Sequence, residues 1–368
     1  MAELFKNIYN KQFFKVFIAT MLQIKPDFNH QSFHKDIYDD DWQHRQLKQR
    51  MRHISIVLNS HLSDNFENNI SIIQKLISQL EINGVKEDSL EYMFLPDFIE
   101  VFGLDNYNTS VKAFEHITQF TSCEFAVRPF IIRYQDKMIK QMYLWSKHKH
   151  PMVRRLATEG CRPRLPWAMA LPSLKKNPEP IIPILENLKN DTSDSVRRSV
   201  ANNLNDISKD NPTRVIDLAK NWKGSTKETD ALVKHACRTL LKQGNSEVMK
   251  LFGFGSIDKI EITHYSITTP IVKIGSFVEF TFKLINTSHN ASKLRLEYGL
   301  YYQKANRTLS KKVFKISEKD YAQNSITTIN RKQSFKIITT RKFHIGMHQI
   351  SIIINGCECD KLDFELIE

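Results

Sequence analysis

The spacing of apolar residues changes once along the chain, near Phe254. Before that point it is helical: Phe13, Phe17, Met21 and Ile24 recur at three- and four-residue intervals and predict an amphipathic helix. The apolar run from Phe13 to Leu22 is interrupted by Lys15 and is too short to span a bilayer, and no small-residue cleavage site follows it. Beyond Phe254 the period falls to two. Val278, Phe280, Phe282 and Leu284 alternate with polar residues, as do Leu294, Leu296, Tyr298 and Leu300. Further strands are predicted at Val313 to Lys315, Phe335 to Ile338, Ile350 to Ile354 and Leu362 to Leu366, with turns at Asn286-Thr287-Ser288 and Asn355-Gly356. About seven short strands in this stretch predict a β-sandwich of immunoglobulin type. It is not an antibody-like one, because no tryptophan follows Trp222 and no cysteine pair is suitably spaced. The predicted chain is therefore multidomain, all-α then all-β. Residues 1–254 form a helical-repeat domain and residues 255–368 the sandwich, with a hinge at Gly253-Phe254-Gly255-Ser256.

Within the helical half one unit recurs, as Pro151-Met-Val-Arg-Arg-Leu-Ala, Asp194-Ser-Val-Arg-Arg-Ser-Val-Ala and Ala231-Leu-Val-Lys-His-Ala-Cys-Arg. Their valines, Val153, Val196 and Val233, are 43 and then 37 residues apart, which is the period of HEAT-type helical hairpins. In the middle copy Val196, Val200, Leu204 and Ile207 form a buried stripe begun by a cap at Ser193 or Asp194. A preceding helix from Ile181 to Leu188 supplies the opposing face. Such hairpins bury their apolar faces only by stacking, so a solenoid with a concave surface is expected.

Charge narrows the class of partner. Lys and Arg number 53 against 40 Asp and Glu, a net charge of +13, which suits a polyanion such as nucleic acid. The basic residues fall at matching positions of successive repeats: Arg154 and Arg155, Arg197 and Arg198, Lys234 and Arg238. Stacking would line them up along a phosphate backbone. The same residues would also serve to cap neighbouring helices and pair with Asp. In the sandwich half, basic residues exceed acids by 17 to 11, so it either closes over DNA or acts as a passive cap. Five scattered cysteines imply no disulfide framework and a reducing cytoplasm. Cys357 and Cys359 form a lone C-x-C pair, a weak metal signal that reads as two strand-end thiols.

Candidate chemistry concentrates between His148 and Trp167. A helix ending near Gly160 runs into Pro163 and Pro166, and the extended stretch projects Arg162, Arg164 and Trp167. Glu159 lies in the last turn, where the helix dipole disfavours a carboxylate. That position is either functional or a solvated residue paired with Arg155 four residues earlier. Glu186 reads as a solvated helix position.

Four segments together resemble the AlkC branch of the bacterial alkylpurine DNA glycosylases. They are Glu159-Gly-Cys-Arg-Pro-Arg-Leu-Pro-Trp167, Val196-Arg-Arg-Ser-Val-Ala-Asn-Asn-Leu-Asn-Asp206, Glu124-Phe-Ala-Val-Arg-Pro-Phe130 and Leu47-Lys-Gln-Arg-Met-Arg-His53. The resemblance spans nearly the whole helical half, and residues from Gly255 resemble the immunoglobulin-like domain of some AlkC proteins in layout. It implies hydrolysis of the N-glycosidic bond of N3-methylated adenine or cytosine in double-stranded DNA by a cytoplasmic, bacterial monomer associated with the nucleoid while it acts. It further implies Glu159 as the water-positioning carboxylate, Trp167 as an aromatic wall, Asp206 as a second acid at the lesion and Glu124 as a weaker fourth carry-over, with no metal or organic cofactor. Read from the residues alone, a non-catalytic DNA-binding solenoid and a HEAT-type protein scaffold stay open. The first has no use for Glu159 and Trp167, and the second does not need +13.

Overall fold

The computed structural model describes residues 5–87, 89–338 and 341–368. By contacts the chain divides into two units: Met1–Val215 with Asn221–Ala236, and Ile216–Lys220 with Cys237–Glu368. Among the described residues, no helix is long and apolar enough to cross a membrane.

The first unit is helical throughout. It comprises α1 (Lys11–Ile24), α2 (His30–Ile37), α3 (Leu47–Ser60), α4 (Phe66–Ile82), α5 (Phe94–Phe102), α6 (Tyr107–Ile117), α7 (Val127–Tyr134) and α8 (Asp136–Trp145). There follow α9 (Pro151–Glu159), α10 (Pro172–Lys176), α11 (Ile182–Leu188) and α12 (Asp194–Ile207), then α13 (Pro212–Trp222), which the division by contacts splits, and α14 (Lys227–Ala236). Asparagines start several of them: Asn10, Asn29 and Asn65 each accept a hydrogen bond from the backbone N–H three residues on. In α1 the predicted stripe is buried at Phe13, Phe17 and Met21.

The three recurring units open or run through α9, α12 and α14, and these helices pack side by side, α12 between the other two. The first arginine of the unit explains the recurrence. Arg154 Nη1 donates to the carbonyls of His148 and Lys149, and Arg197 Nη1 donates to those of Asp191 and Thr192, the same six- and five-residue steps back. Each guanidinium thus ties down the loop that enters its own helix. Arg154 also grips Asp191 of the next repeat with two bonds, at 2.5 and 2.9 Å. These two arginines hold the repeats, unlike the row of phosphate-facing cations expected from the sequence. The second arginine differs: Arg198 is exposed.

The second unit holds α15 (Arg238–Lys242), α16 (Ser246–Leu251) and eight strands, which are β1 (Ile260–Ile267), β2 (Ile271–Lys273), β3 (Phe277–Asn286), β4 (Ser292–Gln303), β5 (Leu309–Tyr321), β6 (Ser325–Ser334), β7 (Gly346–Ile354) and β8 (Cys357–Ile367). They form a β1-β3-β6 sheet and a β2-β8-β7-β4-β5 sheet, antiparallel except for the β2–β8 pair. The alternating residues Val278, Phe280, Phe282 and Leu284 of β3 face Leu294, Leu296, Tyr298 and Leu300 of β4 in one core. The expected strand at Phe335–Ile338 is not one. Phe335 is buried in the core, and the segment carries only an isolated bridge between Ile338 and Arg341. Instead β6 ends at Ser334, just before it. Two glycines bring α15 onto the β7–β8 turn. Gly244 (φ +70°) and Gly356 (φ +84°) approach so closely that a Cβ on Gly356 would lie 2.3 Å from the Gly244 Cα.

The arginine clasp gives the first prediction. Arg154→Ala leaves Asp191, whose side chain is only 5% exposed, as an unpaired buried charge. The loss should be about 3 kcal/mol, read as a lowered midpoint in urea unfolding followed by far-UV circular dichroism. Affinity of the folded protein for duplex DNA should stay within a factor of about two (~0.4 kcal/mol).

Candidate active site

Helix α9 ends at Gly160, and no side chain could replace its hydrogen there: a Cβ would lie 2.6 Å from Val127 Cγ2 on α7. This close approach sets the last turn of α9, with Glu159, against the segment that opens α7. Glu159, Glu124, Phe125, Arg155, Lys48 and Trp167 line one cavity of about 620 Å³. Asp206, on the last turn of α12, is buried beside it and does not line it.

Arg162 connects the two acids. Its Nη1 donates to Glu159 Oε1 at 2.5 Å and its Nε to Asp206 Oδ2 at 2.9 Å, and all three side chains are buried. Burial opposes the charge on this guanidinium, but attraction to Glu159 and the hydrogen bond and charge of Asp206 outweigh it, so its pKa lies above the ordinary value. The other oxygen of Glu159 accepts from Ser199 Oγ at 2.5 Å, and Thr158 donates in turn to Ser199. Asp206 Oδ1 takes a further bond from Lys209 at 3.1 Å. The carboxylate that the helix dipole disfavours is thus held by one cation and one hydroxyl.

Several partners differ from expectation. Arg155 does not pair with Glu159. It reaches across the cavity to Glu124 at 3.0 Å, and Ser122 Oγ also donates to that carboxylate. Arg162 is a buried bridge between acids, which removes it from the candidate phosphate contacts. Arg164 lies at the surface but is engaged by both oxygens of Asp210, at 2.8 and 2.6 Å. Lys234 and Arg238 are half-buried on α14 and α15. Glu186 is no free solvated position, since it accepts from Trp222 Nε1 and pairs with Lys189. Trp167 is 70% exposed, with its backbone in the left-handed region at φ +63°. That conformation is uncommon for a bulky residue. Its carbonyl accepts from Lys48 Nζ at 2.8 Å, and the same ammonium lies 4.7 Å from the centre of the Phe125 ring. Cys161, beside these groups, is fully buried, and burial pushes its thiol up to about 12, so it supplies no thiolate nucleophile at neutral pH. Among the described residues, no three His, Cys, Asp or Glu side chains come together as a metal site would need.

Sequence reasoning missed Ser199, Lys48 and Phe125, although each lies inside a segment that carried the family resemblance. The missing information is register: only the stacking of α12 on α9 brings Ser199 to a residue 40 positions earlier.

Residues 101–240 match the family described as DNA alkylation repair enzyme, and residues 261–368 match the C-terminal immunoglobulin-like domain of the uncharacterised protein YhaZ. The chain is 40% identical over 366 residues to the uncharacterized protein YhaZ of Bacillus subtilis (strain 168), covering all of both chains. It is also similar to Pseudomonas fluorescens alkylpurine DNA glycosylase AlkC bound to DNA containing an abasic site analog. The TM-score is 0.93 and the identity 31%, over the full length of both chains. On the strength of that identity over the full length of both chains, the chain belongs to the AlkC-type alkylpurine DNA glycosylase family.

Proposed function

We propose that this protein is a base-excision glycosylase that hydrolyses the N-glycosidic bond of cationic N3-alkylated bases, 3-methyladenine and 3-methylcytosine, in double-stranded DNA. The observation that carries this reading is the pairing of a charge-stabilised carboxylate, Glu159, with an exposed indole, Trp167, on one cavity. A base alkylated on its ring nitrogen leaves as a neutral molecule, taking the electron pair of the C1′–N bond. The sugar becomes oxocarbenium-like, and water adds at C1′. Glu159 stabilises that developing charge and orients the water, whose proton passes to the carboxylate and then to solvent. Trp167 offers the negative face of its ring to the cationic base. Asp206 adds negative charge behind Glu159 through Arg162, and Glu124 adds it across the cavity, balanced by Arg155. In this reading residues 1–254 form the glycosylase domain, residues 255–368 the immunoglobulin-like one, and the protein acts as a monomer without a cofactor.

Two measurements test it. Glu159→Gln keeps size and the Ser199 bond but removes the charge, so single-turnover release of 3-methyladenine from methylated duplex should fall at least tenfold, roughly 1.4 kcal/mol. The spontaneous rate is the baseline, and Glu81→Gln at an exposed position of α4 is the control. Equal rates in the two variants, both shown folded by circular dichroism, would end the assignment of Glu159. The second measurement is of binding. Affinity for undamaged duplex, followed by fluorescence anisotropy, should fall steeply with salt. Arg198→Glu should weaken it several-fold (~1 kcal/mol) on any sequence. Binding indifferent to both would remove the DNA reading.

A further inference from the structure

A side chain that is 70% exposed is not held by packing, so the position of Trp167 has to come from its backbone. That backbone is in the left-handed region, a conformation uncommon for a bulky residue that persists only where the surroundings impose it. Within the segment the Ala168 N–H donates to the Leu165 carbonyl and the Leu171 N–H to the Pro163 carbonyl, and two cations brace it from outside. Arg128 on α7 is fully buried, and its guanidinium holds both ends of the segment that carries Trp167: Nη1 donates to the Gly160 carbonyl at 2.9 Å and Nε to the Met169 carbonyl at 2.7 Å. No carboxylate among the described residues pairs with it, and its Nη2 is buried without a hydrogen-bond partner. Burial lowers its pKa to about 10, so the site bears a desolvation cost that two peptide carbonyls only partly offset. Lys48 Nζ, on α3, donates to the carbonyl of Trp167 itself. Neither cation hydrogen-bonds an acid of the site, although Asp206 and Glu124 lie near enough to Arg128 for their charge to favour its own.

We propose that Arg128 and Lys48 are positioning residues for base excision: together they fix the segment from Gly160 to Met169 so that Trp167 stands at the mouth of the cavity before DNA arrives. This rests on the glycosylase reading above and extends it to residues outside the acidic cluster. Preorganisation of this kind lowers the barrier because the aromatic face does not have to be ordered in the transition state.

The four tryptophans supply a readout of their own. Trp42, Trp145 and Trp222 are buried and Trp167 is exposed, so the emission accessible to iodide reports on Trp167. Time-resolved anisotropy of that fraction in the DNA-free protein should show restricted rotation in the wild type and a faster local component in Arg128→Lys and in Lys48→Met. Arg128→Lys retains the charge but gathers its donors on one nitrogen, so it loses the two-nitrogen fork that reaches the Gly160 and Met169 carbonyls. Single-turnover release of 3-methyladenine should fall about tenfold in each variant. Added to Trp167→Ala, neither change should slow excision further, since the residue they position is gone. Should Arg128→Lys fail to fold, the exposed Lys48 carries the test alone. Unchanged local rotation, or losses that multiply with that of Trp167→Ala, would overturn the proposal. Full excision by Trp167→Ala itself would sink the role of Trp167 in the glycosylase reading, while the anisotropy decay would still decide whether the two cations hold the segment.

Discussion

Two carboxylates buried within reach of one guanidinium set the terms for the rest of this molecule. An ionised carboxylate removed from water loses several kcal/mol unless it is paired, and Glu159 and Asp206 share a single buried partner, Arg162. One negative charge is left over; Lys209, whose side chain is 38% exposed, and the Ser199 hydroxyl meet it directly, and Arg128 and Arg164 act on Asp206 from further off. The arrangement therefore depends on distances between repeats. Arg162 follows α9 while Asp206 ends α12, 44 residues later, and a slip of one helical turn, 5.4 Å, would separate them. The devices that fix the register of α9 against α12 are thus part of the site. They include the Arg154 clasp on Asp191 and the Asn203 bond to the Thr158 carbonyl, while the close contact of Gly160 with Val127 sets α9 against α7.

The same dependence explains which features the sequence made legible. The helical repeats were readable because each unit carries its own stripe and its own period, and Val153, Val196 and Val233 are all buried as that period requires. Strands β3 and β4 were readable for the matching reason, strict alternation over a half-buried face. Strand β1 was not. Its core-facing residues switch from even positions, Ile260 and Ile262, to odd ones, Tyr265 and Ile267, across a bulge where His264 adopts φ +51°. Strand β6 is an edge strand with the polar sequence Ser-Ile-Thr-Thr-Ile-Asn-Arg-Lys-Gln-Ser, so it shows little alternation. The apolar Phe335-Lys-Ile-Ile just after it drew the prediction instead. Residue types in the site were legible through the family resemblance. Their partners were not, because whether Arg155 meets Glu159 or Glu124 is settled by which helix packs opposite it.

The repeated Val-Arg-Arg unit shows how one motif divides its labour. The first arginine, whose neighbours are the carbonyls of its own entry loop, is fixed by the repeat and is as structural as the buried valine beside it. The second lies one residue, about 100°, further round the helix and is released from that duty. In the α9 copy it faces the acid of the site as Arg155, and in the α12 copy it faces solvent as Arg198. Matching positions in a solenoid thus need not share a function, and basic residues counted together by composition separate into clasps, charge partners and exposed cations.

That separation bears on how a basic protein can keep an acidic centre. Phosphates repel carboxylates, so Glu159, Glu124 and Asp206 weaken the approach of ordinary DNA unless cations nearby offset them; Arg155 and Arg162 do so at hydrogen-bond distance. With those cations in place the cavity is nearly balanced toward a neutral base and gains little from holding one. A base with a positive charge on its ring brings the counter-charge with it, and it meets the face of Trp167 as well. On the proposed reading, selection for alkylated bases then needs no hydrogen bonds specific to one base edge. The discriminating quantity is the charge the base carries before it leaves, sensed where Arg162 and Ser199 hold the Glu159 carboxylate and where the segment from Gly160 to Met169 keeps the indole in place.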